Sequence, residues 1–102
     1  MIYHVVTMKV LPDKGNEAEQ ILLKAQAYLE EKNPVENAQF LRGIDDSSNR
    51  LHISGLYDSL AAFETQREAR HKDPEWKTIL DELDAVVEDS EGHFYRVIMP
   101  PR

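Results

Sequence analysis

Imidazole moves protons or binds metal near neutral pH more readily than any other side chain, and the chain offers four, His4, His52, His71 and His93. They form no H-x-H pair, and none stands at the zinc-helix interval from a Glu, so the sequence carries no metal motif. His4 alternates with Ile2, Val6 and Met8, which places it on a buried strand face. A buried imidazole needs a partner, so His4 is either a histidine hydrogen-bonded across a sheet or a general base. His52, in a neighbouring strand, is that partner if the register allows, and register is not written in the sequence.

Arg42, between Phe40 and Ile44, and Arg96, between Phe94 and Ile98, each put a guanidinium among apolar residues. Such a group wants an acid: a substrate carboxylate or phenolate gripped by its planar fork, or a salt bridge across a subunit interface. Trp76 lies in an apolar helical stripe and Tyr57 at a strand end. They pack the core or wall a pocket in which an aromatic molecule stacks. Arg67 and His71, four residues apart, share a helix face that meets a cleft or water. The candidate catalytic residues are therefore His4, His71, Arg42 and Arg96, and the candidate binding residues Trp76, Tyr57, His52 and Arg67. No serine lies in a G-x-S-x-G elbow, the four glycines form no phosphate loop, and the absence of cysteine removes thiolate chemistry and disulfides.

These residues need elements to position them. Ile2 to Val10 is β-branched and apolar on both faces, a central strand stopped by Pro12 and Gly15. Ala18, Ile21, Leu22, Ala25, Tyr28 and Leu29 recur at helical spacing, with Asn16 and Glu19 placed for a capping box and Asn33-Pro34 as the stop. Ala38 to Ile44 and Leu51 to Tyr57 form a hairpin about the polar run Asp45 to Arg50. Ser59 caps a helix through Leu60 and Phe63, which Asp73-Pro74 breaks and restarts with the stripe Trp76, Ile79, Leu80, Leu83 and Val87. A last strand runs from His93 to Met99, ended by Pro100-Pro101. The order is βαβ followed by βαβ. That is the split pattern of the ferredoxin-like α+β class, a four-stranded antiparallel sheet with helices on one face. The bare face is expected to meet a second copy of the chain.

The whole chain, residues 1–102, fits a single domain, with 41% hydrophobic and 30% charged residues. A formal charge of −7 and no concentrated basic patch argue against nucleic acid and anionic lipid as partners. No apolar run is long enough to span a bilayer and no signal-peptide pattern opens the chain, so a cytoplasmic location is the default expectation.

The chain resembles the dimeric α+β barrel superfamily, and within it the NIPSNAP-like branch. The resemblance rests on Gly55-Leu56-Tyr57-Asp58-Ser59-Leu60-Ala61-Ala62, on Arg67 followed by Asp73-Pro74-Glu75-Trp76, and on the last strand with Arg96. It implies a homodimer closed through the open sheet faces and a small molecule bound between sheet and helices, with no assigned reaction. Antibiotic-biosynthesis monooxygenases, the second choice, work without a cofactor on electron-rich phenols. Trp76, Tyr57, Arg42 and Arg96 match their site in residue type only. Haem-degrading relatives pair a helical His with an Asn on the first strand. This chain offers His71 but His4 and no Asn, so no cofactor is expected. A non-catalytic interaction module is the remaining alternative.

Overall fold

The structure, a computed structural model, describes residues 1–45 and 49–99. Its elements are β1 (Ile2–Val10), α1 (Gly15–Lys32), β2 (Glu36–Arg42), β3 (Arg50–Tyr57), α2 (Leu60–His71), α3 (Pro74–Asp84) and β4 (Val87–Arg96). The strands form one antiparallel sheet in the order β2-β3-β1-β4, the ferredoxin-like α+β arrangement. No described helix is long and apolar enough to cross a membrane.

The register of β1 decides what faces what. His4 stands opposite Gly55 on one side and Phe94 on the other, and Met8 opposite Leu51 and Ser90. Directly opposed residues share a face, so the even-numbered residues of β1 look toward the helices and Tyr3, Val5, Thr7 and Lys9 look away. Met8, Val10 and Leu51 pack with Ala18, Ile21, Leu22, Ala25 and Leu29 of α1 and Ile79 and Leu83 of α3. Burying Ile21, Leu22 and Leu29 contributes about 1.5 to 3 kcal/mol each before entropy is subtracted.

Several element ends differ from the sequence reading. The expected capping box does not form: α1 starts at Gly15 with Lys14 as N-cap and no side-chain cap. Arg42 draws Asn16 and Glu19 away, with Nη1 donating to Asn16 Oδ1 at 2.8 Å and Glu19 Oε2 at 2.9 Å. β2 runs two residues earlier than expected and leaves Ile44 98% exposed, because its pairing with β3 ends at Arg42 opposite Leu51. β4 starts at Val87, six residues before His93. As an edge strand it pairs only with β1, so its Glu88, Asp89 and Glu91 reach water while the backbone gains a ladder. The central part of the hairpin turn (46–48) and the terminal prolines (100–101) lie outside the described residues.

The break at Asp73-Pro74 forms as expected. Asp73 accepts from the Glu75 amide at 2.9 Å as N-cap of α3, and Tyr28 Oη of α1 donates to its other oxygen at 2.9 Å. These two donors hold the Asp73 carboxyl below its ordinary range. Gly55 meets a tighter constraint, since a Cβ there would run into Cγ1 of Val35. Gly55→Ala is expected to lower stability by about 1 to 3 kcal/mol, as overpacking does, read as a drop in the denaturant midpoint at unchanged slope.

Candidate functional site

A cavity of about 230 Å³ lies between the sheet and the helices. The sheet supplies His4, Val6, Met8 and Ile53 to its wall, and the helices supply Leu29, Arg70, Trp76, Leu80 and Leu83. Tyr57 lines it from β3, and Asp84 and Ser90, both exposed, line it too. The walls are mostly apolar, as small-molecule sites are.

His4 reaches this space through its even-numbered place on β1. Its ring stacks on Phe94, the residue opposite it in β4, with centroids 4.6 Å apart, and tilts against Phe63 of α2 at 4.6 Å. Among the described residues it makes no hydrogen bond. Burial, and then the positive charges of Arg70 and Arg67, lower its pKa from 6.5, so the imidazole is neutral at neutral pH. A cross-sheet bond to His52 is excluded by the register. His52 faces Thr7 on the opposite side of the sheet, its Nδ1 3.1 Å from the Thr7 hydroxyl.

Arg70 is the functional candidate that sequence reasoning missed. Only 8% exposed, it donates from Nη1 to Asn33 Oδ1 at 3.0 Å, and its guanidinium lies 5.7 Å from the centre of the Trp76 ring. Asn33 is fixed in turn by Gln66, giving Nδ2 to the Gln66 carbonyl at 3.2 Å and accepting from Gln66 Nε2 at 3.0 Å. Among the described residues no carboxylate pairs with Arg70. The signal was available: stepping from Phe63 by three and four residues along α2 reaches Gln66 and then Arg70, so polar residues continue the inward stripe.

The sequence candidates therefore divide. His4, Tyr57 and Trp76 meet at the cavity, and Trp76 also packs on Tyr28 with centroids 5.0 Å apart. Arg67 and His71 line a separate shallow groove on α2 with Glu64 and Glu68. Partial desolvation, followed by Arg67, Arg70 and Lys77, lowers the His71 pKa. Arg42 is bound to Glu19 at the start of α1, and Arg96 is exposed at the far end of β4. Among the described residues no group of three or more His, Cys, Asp or Glu side chains is placed to hold a metal ion.

Neither a family model nor a curated protein matches the chain at a significant level. Solved structures do. A NIPSNAP-like domain protein from Burkholderia xenovorans superposes with a TM-score of 0.83 at 13% identity, over 98% of this chain and 89% of its own. A NIPSNAP domain protein from the same organism covers 100% of both chains with a TM-score of 0.77 at 18% identity. The chain has the fold of NIPSNAP proteins. A cofactor-independent oxygenase, SnoaB from Streptomyces nogalater, shares that fold, with a TM-score of 0.75 at 16% identity over 97% of this chain and 94% of its own. At the level of the fold, the likeness to NIPSNAP and antibiotic-biosynthesis monooxygenase proteins expected from the sequence is met.

Within this NIPSNAP-like fold the field at His4 is open to measurement. Its imidazole should titrate below 6.5 by NMR, and Arg70→Met should move the midpoint upward by removing a positive neighbour. A histidine with a lowered folded pKa takes up a proton on unfolding. His4 therefore costs stability as pH falls from 6.5 toward the folded value, and His4→Gln should flatten that part of the stability profile.

Proposed function

We propose that the chain is a NIPSNAP-like protein that binds a small, ring-sized organic molecule in the cavity between sheet and helices. One observation carries this reading: the cavity presents His4 and Arg70, two polar groups that are not paired with each other, inside walls that are mostly apolar. A space filled by side chains with every polar group mutually satisfied would suit an interaction module instead. An apolar cavity of about 150 Å³ already holds benzene, so about 230 Å³ accommodates a substituted ring. Trp76 and Tyr57 supply flat aromatic surface for it. Toluene, a neutral probe, is expected to shift the methyl resonances of Val6, Met8 and Ile53 saturably. Resonances that stay unmoved up to the solubility limit would remove the cavity as a binding site.

A second reading has its own support in the likeness to SnoaB and in the neutral, unbonded imidazole of His4. In it, His4 accepts a proton from an electron-rich phenolic ligand as general base. Dioxygen is the oxidant: a ring CH2 becomes C=O with one oxygen atom, and the other leaves as water. Oxygen uptake with anthrone-like phenols, reduced at least about 100-fold by His4→Gln in line with the usual worth of a general base, is the expected result. Uptake that His4→Gln leaves unchanged would rule His4 out as the base.

We also propose that the working unit is a homodimer joined through the sheet face turned away from the helices. That face carries Tyr3, Val5, Leu41 and Tyr95, with Leu41 51% and Tyr95 55% exposed, and no described helix covers it. Exposed apolar sheet of this kind favours burial against a copy. Sedimentation should give the dimer mass, and Leu41→Lys with Tyr95→Lys should give the monomer.

A further inference from the structure

The preceding reading places a ring-sized molecule in the cavity; resting on it, the surroundings of Arg70 select the chemical class of that molecule. Arg70 is more than nine-tenths buried and carries a permanent positive charge. Of the five N–H groups that a guanidinium presents, the described contacts use one nitrogen, Nη1, on a neutral acceptor, Asn33 Oδ1. Among the described residues every fully buried side-chain nitrogen and oxygen has a hydrogen-bond partner. The unused donors of Arg70 are therefore not sealed off from solvent-sized space, and Arg70 is among the residues that line the cavity.

A buried charge is costly unless it is paired. Among the described residues no carboxylate forms an ion pair with Arg70. Asp73 is taken by Tyr28 and the Glu75 amide, and Asp84, exposed among the residues that line the cavity, makes no ion pair with Arg70. Asn33 meanwhile is held by Gln66 in a position that fixes the guanidinium without neutralising it. The result is an oriented cation at the edge of an apolar chamber. A planar fork of this kind matches a carboxylate bidentately. The chamber of about 230 Å³ is walled mainly by Val6, Met8, Ile53, Leu83 and Trp76, so an apolar body fits it better than a sugar or a nucleoside.

We infer that the ligand is a small carboxylate with an apolar, ring-sized body, and that Arg70 receives its charged end while Asn33 positions Arg70.

Benzoate and its neutral isostere benzamide test the idea on the full chain by calorimetry, with NMR locating the site. Benzoate is expected to bind at least about tenfold more tightly than benzamide, in keeping with a hydrogen bond to a charged group. Arg70→Met should abolish that preference. Asn33→Asp should abolish it too, since it gives Arg70 an internal carboxylate at nearly the same shape, at the cost of the bond from Asn33 Nδ2 to the Gln66 carbonyl, and circular dichroism checks that both variants fold. Equal binding of the two probes would overturn the carboxylate inference while leaving the cavity reading intact. A preference for benzoate that survives Arg70→Met or Asn33→Asp would overturn Arg70 as its receptor. Failure of benzoate, benzamide and toluene alike would overturn both readings.

Discussion

The alternation of β1 between two antiparallel neighbours is the constraint on which the site depends. Because Ile2 to Val10 is hydrogen-bonded on both edges, its register cannot slip without turning every side chain to the other face. That lock sends His4, Val6 and Met8 toward the helices in a single row. The same row meets Ile53 and Leu51 on one side and Phe94 on the other, so chamber and core are made from one set of strand positions. Toward the start of α1 the row is sealed by Met8, Val10 and Leu51, whereas around His4 it meets rings that leave space. Glycines opposite His4 and Val6, at Gly55 and Gly92, reduce the bulk there.

Electrostatics then distinguishes this chamber from an ordinary packing defect. A void in a core is normally lined by aliphatic groups alone and stays dry. Here a guanidinium is held at the rim by a neutral amide, and its field falls on an imidazole that burial already keeps uncharged. Both effects act in the same direction on His4. The protein has thereby arranged a cation that stays charged beside a base that stays neutral, a pairing of unequal roles of the kind found where groups act on a ligand. Both groups also touch the helices, Arg70 through Asn33 and Trp76 and His4 through Phe63, while the main packing of α1 and α3 on the sheet proceeds through Ile21, Leu22, Leu29, Ile79 and Leu83.

Much of this was legible in the amino-acid order. Period-two runs and the stripe of α1 are strong local patterns, and the Asp73-Pro74 restart is written in turn chemistry, so the βαβ-βαβ order could be read directly, and with it the elements that carry His4, Trp76 and Tyr57, but not the side of the sheet that His4 faces. The start of β4 could not, because Glu88, Asp89 and Glu91 look like a solvated loop until an edge position and the ladder to β1 explain them. Arg42 misled for a related reason. It does alternate with apolar residues, yet an exposed strand end lets it turn to Glu19, a contact distant in sequence. Arg70 was hidden by composition, since a stretch containing Arg67, Glu68, Arg70, His71 and Lys72 reads as a charged surface. Only the helical phase from Phe63 separates the one inward charge from its outward neighbours.

The interruption between α2 and α3 has an effect on how such a protein can diversify. Asp73, tied to Tyr28, makes α3 start afresh under its own cap, so the chamber's roof is built from two independently terminated pieces. One piece bears the charge at Arg70, and the other bears the bulk at Trp76, Leu80 and Leu83. Substitutions at Leu80 or Leu83 would resize the chamber, whereas Trp76, whose ring lies 5.7 Å from the Arg70 guanidinium, couples the two pieces. A roof jointed in this way would let the size of the chamber and its charge vary largely as separate traits on an unchanged sheet.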